Sequence, residues 1–334
     1  MDVRAIDPRD GQAFAEWFAV VDAAHRELWP DEPGWQENEM RAQALQEDAP
    51  ERVECLAAVD GSGRVVGSAR SDSPLRDNTH LVGADVWVHP EHRRRGAGTA
   101  LLAEVERRAV DDGRKVVIVA QHEPVHLADP TSGRAFALGQ GYTVAQREYR
   151  RDLPVPPDRE RLAELEAACL PYAAGYRVVT WVGRCPDELA EDRAYLARRM
   201  STDVPIGDLV IEEEEWDVAR LRQLEARIEA QERTTVTAGA VHEASGRLVA
   251  FTEIQVPAVP ATAYQWDTLV LREHRGHRLG TVVKLANLRL LAEVSPATTK
   301  VVTSNAEENA PMIAINEALG CTVTSTSLEW QKQL

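Results

Sequence analysis

Two segments of the chain place chemistry-bearing residues at the same spacing. Residues 85–98 read Asp-Val-Trp-Val-His-Pro-Glu-His-Arg-Arg-Arg-Gly-Ala-Gly, and residues 267–280 read Asp-Thr-Leu-Val-Leu-Arg-Glu-His-Arg-Gly-His-Arg-Leu-Gly. The aspartate, the valine three residues on, Glu-His-Arg and the final glycine coincide at a constant offset of 182 residues. In each, a strand is expected to end, a short basic turn follows, and a helix opens at glycine. A helix N-terminus carries unpaired N–H groups and partial positive charge, so such a turn is a natural anion site. Glycines let the backbone approach the anion, and Arg93, Arg94, Arg95, Arg275 and Arg278 add charge. The spacing is neither the nucleotide-triphosphate GxxxxGK[ST] nor the dinucleotide GxGxxG. The plainer alternative is an ordinary solvated connection.

The elements that must hold these turns also repeat. Val3–Ile6 reads as a strand, and residues 11–28 carry Phe14, Trp17, Phe18, Val21 and Ala24 at helical spacing. Cys55–Val59, the turn Asp60-Gly61-Ser62-Gly63 and Val65–Ala69 read as a hairpin. A strand over 82–88, a helix from Gly98 and a buried strand over Val116–Ala120 follow. After a helix near 159–170 the order recurs: strand Val178–Trp181, helix Pro186–Met200, hairpin Val236–Val256, strand Tyr264–Leu271, helix Gly280–Val294, strand Lys300–Ser304. Three prolines between Arg151 and Arg159 mark the expected linker. The reading is a duplicated α/β domain, with boundaries at 1–152 and 153–334.

The form Arg-x-x-Gly-x-Gly after Val-x-Pro resembles the acetyl-CoA loop of the GCN5-related N-acetyltransferase (GNAT) superfamily. Arg93–Gly98 matches it in full after Val88-His89-Pro90. Arg275–Gly280 matches with Arg278 in place of the first glycine. The order of elements fits the same family twice, as in its tandem two-domain actinobacterial type with mycothiol synthase-like architecture. The resemblance implies two tandem domains, each a mixed, mainly antiparallel sheet flanked by helices. It implies acetyl-CoA, or another short acyl-CoA, as co-substrate and no metal. Backbone N–H groups of Arg94, Arg95, Gly96, Ala97, Gly98 and Thr99, and of Gly276, His277, Arg278, Leu279, Gly280 and Thr281, would hold the CoA diphosphate. Val88 and Val270 would pair with the pantetheine arm and polarise the thioester carbonyl. Asn309 fits a CoA-contacting asparagine. Asn316 stands where the family's tyrosine general acid is expected, and Cys321 replaces a phenylalanine. In the first half Ala137 takes the tyrosine position and Pro130 the asparagine position. Asn305, Asn309 and Asn316 gather beside the second loop, which favours that half for turnover.

A neutral amine is needed to attack a thioester, so a carboxylate near the splayed strand could bind or deprotonate an ammonium. Asp85 and Asp267 are candidates; the competing reading pairs them with loop arginines. Glu253 alternates with apolar neighbours and either lines the groove or faces solvent, with solvent favoured. Gln265 and Tyr264 share that ambiguity. His92 and His274 are expected beside phosphate. Trp87 and Trp266 flank the aspartates and could shape an acceptor pocket. Glu212–Glu215 reads as a solvated helix start.

Composition bounds the partners. The 334 residues carry 38 Lys+Arg and 54 Asp+Glu, a net charge of −16, which disfavours nucleic acid and anionic membranes and suits a cationic amine. The four cysteines lie far apart without a CxxC pair, so neither zinc nor a disulfide framework is indicated. Neither a signal peptide nor a membrane span is expected, which points to the cytoplasm. The expected function is N-acetyl (or short acyl) transfer from CoA to a small-molecule amine, by Asp267, Glu253, Asn316 or Asp85. The rival is a non-catalytic acyl-CoA-binding or sensing protein; protein acetylation is a third, weaker reading.

Overall fold

In the computed structural model, which describes residues 1–46, 50–127 and 132–334, both halves follow one order of elements. Along the first run β1 (Asp2–Ile6), α1 (Gly11–Leu28), α2 (Glu37–Leu45), β2 (Glu51–Val59), β3 (Val65–Pro74), β4 (Leu81–Val88), α3 (Ala97–Asp111), β5 (Val116–Pro124), α4 (Ser132–Gly139) and β6 (Thr143–Pro154). Along the second run α5 (Arg159–Cys169), β7 (Tyr176–Val182), α6 (Ala190–Asp203), α7 (Val218–Ala230), β8 (Thr234–His242), β9 (Leu248–Val256), β10 (Thr262–Val270), α8 (Leu279–Val294), β11 (Lys300–Ala306), α9 (Ala310–Leu319) and β12 (Thr322–Gln333). Contacts divide the chain into Met1–Arg147 with Thr326–Leu334, and Glu148–Ser325. The expected boundary at 152/153 falls inside β6.

In the first unit β1, β2, β3 and β4 pair antiparallel, and β4 pairs parallel with β5. The hairpin turn is built by Asp60, whose Oδ1 accepts from Ser62 N (2.9 Å), Ser62 Oγ (2.6 Å) and Arg64 N (3.1 Å). Asp10 caps α1 by accepting from the N–H groups of Gln12 and Ala13. The 3–4 spacing of Phe14, Trp17, Val20, Val21 and Ala24 then turns one face of α1 into the core. Trp17 is fully buried and donates from Nε1 to Leu56 O at 2.9 Å; its truncation to alanine should cost about 3–5 kcal/mol. Leu101, Leu102, Val105 and Ala109 of α3 cover the other side with Tyr142, Leu328 and Trp330. Leu328 and Trp330 come from the end of β12, so the chain's last residues complete this core.

In the second unit β7, β8, β9 and β10 pair antiparallel, β10 pairs parallel with β11, and β11 pairs antiparallel with Glu148–Pro154 of β6. Val283, Leu285, Leu288 and Leu291 of α8 are buried in its two main apolar clusters. Each unit is thus a mixed, mainly antiparallel sheet with helices packed on it.

Three local expectations differ from the structure. Arg151–Pro154, expected in the linker, are strand, because the prolines fall at or beyond its end. The helix expected from Pro186 begins at Ala190, after a 3-10 turn over Asp187–Leu189. Glu212–Glu215 precede α7 rather than start it: Glu213 is drawn to Arg198 and Arg199, and Glu214 to Arg220 and Trp216 Nε1. No described helix is long and apolar enough to cross a membrane.

Candidate functional site

Each parallel pair holds for only a few rungs. β4 meets β5 over Leu81–Ala84, and β10 meets β11 over Thr262–Tyr264. Beyond these rungs Asp85–Val88 and Gln265–Val270 pair on one side only. His89 N donates to Val66 O and Leu271 N to Val249 O, both toward the antiparallel neighbour. Strand alternation therefore points the N–H groups of Val88 and Val270 into the gap. Their carbonyls are already engaged, by Arg93 Nε at 3.3 Å and Arg275 Nε at 3.1 Å. What remains open at each strand end is a donor, as an amide-rich ligand strand or a thioester oxygen would require.

The loops that follow share one backbone. Arg94 (φ 61°) and Gly96 (φ 88°) are left-handed in the first, Gly276 (φ 89°) and Arg278 (φ 53°) in the second. At the two matching positions glycine and arginine have traded places. Gly96 and Arg278 lead into α3 and α8 without a side-chain cap, leaving first-turn N–H groups for an anion. A Cβ on Gly98 would sit 3.4 Å from Val88 Cγ2 and Phe136 Cζ, and one on Gly280 3.0 Å from Ile315 Cδ1. Glycine thus lets each helix end pack close to its neighbours. These features fit a diphosphate with an amide-bearing arm, so the residues present suit acyl-CoA.

The loop side chains divide. Arg93 pairs with Glu27, and Arg275 reaches Asp203 O at 3.3 Å, so both brace their loops. Arg94 and Arg95 are exposed and make no ion pair among the described residues. Arg278 lies over the Tyr172 ring at 5.0 Å, and His277 Nδ1 lies 3.0 Å from Tyr172 O. Ala97 and Leu279 are buried, Thr99 is exposed, and Thr281 is buried against Cys169. His274 Nδ1 is 2.9 Å from Tyr176 OH. His89, Glu91 and His92 bring one donor atom each within 4.8 Å of one another, a set that could hold a cation.

The two aspartates are placed differently. Asp85 stands in an unbroken ladder directly opposite Arg70, which also donates to Asp72 Oδ1 at 2.6 Å. Burial raises the Asp85 carboxyl, and Arg70 opposes that rise. Asp267 lies in a β-bulge: Gln265 faces Ile254 and Thr268 faces Thr252, so Trp266 and Asp267 together face Glu253. Gln265 Nε2 holds the bulge by donating to Glu253 O (2.5 Å) and Thr252 Oγ1 (3.0 Å). Bulges re-aim side chains. Burial pushes Asp267 up to about 6, against the pull of Arg193 and with help from Glu253 and Glu214.

Glu253 corrects an expectation. It does not face solvent; it is 8% exposed and bonded to Arg193 Nη2 at 3.0 Å, itself stacked 3.7 Å over Phe251. Its bent side of the strand is closed by α6, which sequence alternation alone does not show. Trp87 packs edge-on against Trp17 in the core, whereas Trp266 at the bulge is half exposed. Tyr264 and Gln265 are partly buried.

Asn309 caps α9, accepting from Met312 N at 3.4 Å, and Asn316 Nδ2 donates to Asn305 Oδ1. Asn316, Cys321, Gln265, Thr303 and Lys284 line one small cavity. Lys284, 4% exposed, escaped the sequence reading; the signal was Leu102 at the matching place in the first half. In the first unit Ala137 is buried in the core, and Pro130 lies outside the described residues.

Residues 15–128 match the model of the acetyltransferase (GNAT) family. No curated protein sequence matches the chain. Among solved structures, a tandem GNAT protein from the clavulanic acid biosynthesis pathway is similar over 99% of this chain and 98% of its own, at 29% identity and TM-score 0.82. A GCN5-related N-acetyltransferase from Sphaerobacter thermophilus is similar over 99% and 95%, at 17% identity and TM-score 0.66. One from Kribbella flavida is similar over 100% and 71%, at 15% identity and TM-score 0.50, and these last two bear on the fold. Residues 15–128 thus form a GNAT-family domain, and the two splayed sheets, the two matching loops and the end-to-end similarity to a tandem GNAT protein support the tandem, two-domain form of that superfamily.

Proposed function

We propose that the protein moves an acetyl or other short acyl group from acyl-CoA to the amine of a small molecule, with the C-terminal unit as the working site. One observation carries this reading: the bulge at Trp266–Asp267 sets a carboxyl beside the strand whose end, Val270, offers an open N–H into the splay. The thioester supplies an acyl carbon open to attack by a neutral amine. Asp267 binds the acceptor as an ammonium and takes its proton; a carboxyl pushed up to about 6 is a stronger base than an ordinary one and still ionised at neutral pH. Val270 N–H donates to the acyl oxygen as negative charge grows there. Glu253 keeps Arg193 in place rather than acting as base, because its charge is already committed to that guanidinium. The formal charge of −16 supports a cationic acceptor.

For the N-terminal unit the same reading stops at holding acyl-CoA. Asp85 faces Arg70 in a regular ladder, and the position of the family's tyrosine is Ala137 in the core. A free-thiol release assay with polyamines, amino sugars and aminoglycosides tests the reading. Amine-dependent release of CoA thiol, lost in Asp267→Asn, is expected. CoA binding without release for any amine would leave an acyl-CoA sensor in its place.

A further inference from the structure

The buried face of α8 contains two residues that a core does not need. Lys284 and Asn287 are buried among Val283, Leu285, Leu288 and Leu291, and the matching residues of α3 are the core residues Leu102 and Val105. The second copy of the fold thus keeps an ammonium and an amide where the first keeps two hydrocarbon side chains. Removing an ammonium from water without a counter-ion is costly. No carboxylate pairs with Lys284 among the described residues; the group acting on it is the Cys321 thiol.

Its place gives this cost a purpose. The small cavity it lines reaches past the last shared rung of β10 and β11, Tyr264–Val302: Gln265 and Thr303, the next residues on the two strands, line it together with Val301 and Leu153. Asn316, at the position of the family's tyrosine, lines the same cavity, and its buried Oδ1 has no hydrogen-bond partner among the described residues. An amide has no proton to give to a departing thiolate; an ammonium does. We propose that Lys284 protonates the sulfur that leaves acyl-CoA in the C-terminal unit, taking over the role that Asn316 cannot perform; this rests on reading that unit as the acyl-transfer site.

The step balances. The acceptor nitrogen bonds to the acyl carbon, the carbon–sulfur bond breaks, and its electron pair stays on sulfur. Lys284 gives one Nζ proton to that sulfur and becomes a neutral amine; of the two protons that the ammonium acceptor sheds, Asp267 hands the first to water before the attack and takes the second from the nitrogen as the amide forms. Exchange with water resets both groups. Burial draws the lysine down to about 8, so it is charged at neutral pH and gives up its proton readily. The other titratable group facing the cavity is Cys321, pushed up by burial, with Arg151 and Asp152 of β6 behind it.

The test follows the thiol of bound coenzyme A by its thiolate absorbance in the parent protein and in Lys284→Met. The parent is expected to let a bound thiol ionise at least one pH unit lower than the variant does. In turnover, Lys284→Met should lower kcat tenfold or more, shift the KM for acyl-CoA less than threefold, and lose the fall in kcat above about pH 8. Lys284→Arg keeps the charge without the labile proton, so it should retain the low thiol titration with slow turnover, and it serves if the methionine variant does not fold. Identical thiol titration and identical pH profiles in parent and variants would overturn the role of Lys284 alone. Failure of the parent to bind coenzyme A would sink the acyl-transfer reading and this inference with it.

Discussion

Arg278 holds in the second loop the left-handed backbone that Gly96 holds in the first, with φ of 53° and 88°. A side chain in that region costs about 1–2 kcal/mol. The loop geometry is therefore kept against local preference, and the mirror exchange at Arg94 and Gly276 shows the same in the other copy. Replacing Arg278 with glycine should stabilise the protein by about 1 kcal/mol by urea denaturation, partly offset by glycine's unfolded-state entropy. Coenzyme A affinity at that site should change less than threefold, because backbone N–H groups are the main grip. A tenfold loss would mean that the guanidinium itself holds the diphosphate.

The Asp267 carboxyl is raised in the folded protein, so folding takes up a proton between the ordinary value of 3.8 and about 6. The folded state binds more protons than the unfolded state in that window, and stability falls as pH rises through it. Above about pH 6 the cost is fully present, on the order of 1–3 kcal/mol. Asp267→Asn should therefore stabilise the protein at pH 7.5, leave it little changed at pH 3.5, and abolish amine-dependent turnover. A variant less stable than the parent at pH 7.5 would contradict this assignment of strain to the carboxylate.

Gly98 and Gly280 offer a way to separate the two copies. Aspartate at either sits in the first turn of its helix, where its charge suits the helix dipole but repels a bound anion. Each variant should lose some stability to the close contact at the new Cβ, most at Gly280, and bind one coenzyme A per chain fewer by calorimetry. Turnover should survive in Gly98→Asp and vanish in Gly280→Asp. The opposite pattern would move catalysis to the N-terminal unit.

How much of this was legible in the letters depends on distance along the chain. The two loops, their strands and their helices stand in contiguous residues, and the repeat at an offset of 182 exposes them twice. The bulge that separates Asp267 from Asp85 depends on register with β9, which the alternation of Phe251–Val256 leaves open by one residue. The Arg193–Glu253 pair joins residues 60 apart, and no local pattern encodes it. Lys284 was readable only by laying α8 over α3. β6 and β12 are strands that the sequence expectations leave out, since the prolines point to a linker over 151–159 and no strand is expected beyond Ser304.

Arg193 and Glu253 form a buried pair whose loss should be felt in stability before chemistry. The guanidinium is enclosed by the Phe251 ring and the Glu253 carboxylate, both in the core of the second unit. Arg193→Met leaves a buried carboxylate without its partner, which costs about 3–5 kcal/mol. It also removes the attraction that restrains Asp267, so that carboxyl should rise further above 6 and the acidic limb of the pH–rate profile should move up with it. The double change Arg193→Met with Glu253→Gln removes both charges and should recover more than half of the lost stability in urea. It should also return the acidic limb toward lower pH, because Glu253, with Glu214, is a neighbour that raises Asp267. If the double variant were no more stable than Arg193→Met, the penalty would lie in lost packing on Phe251 rather than in an uncompensated charge.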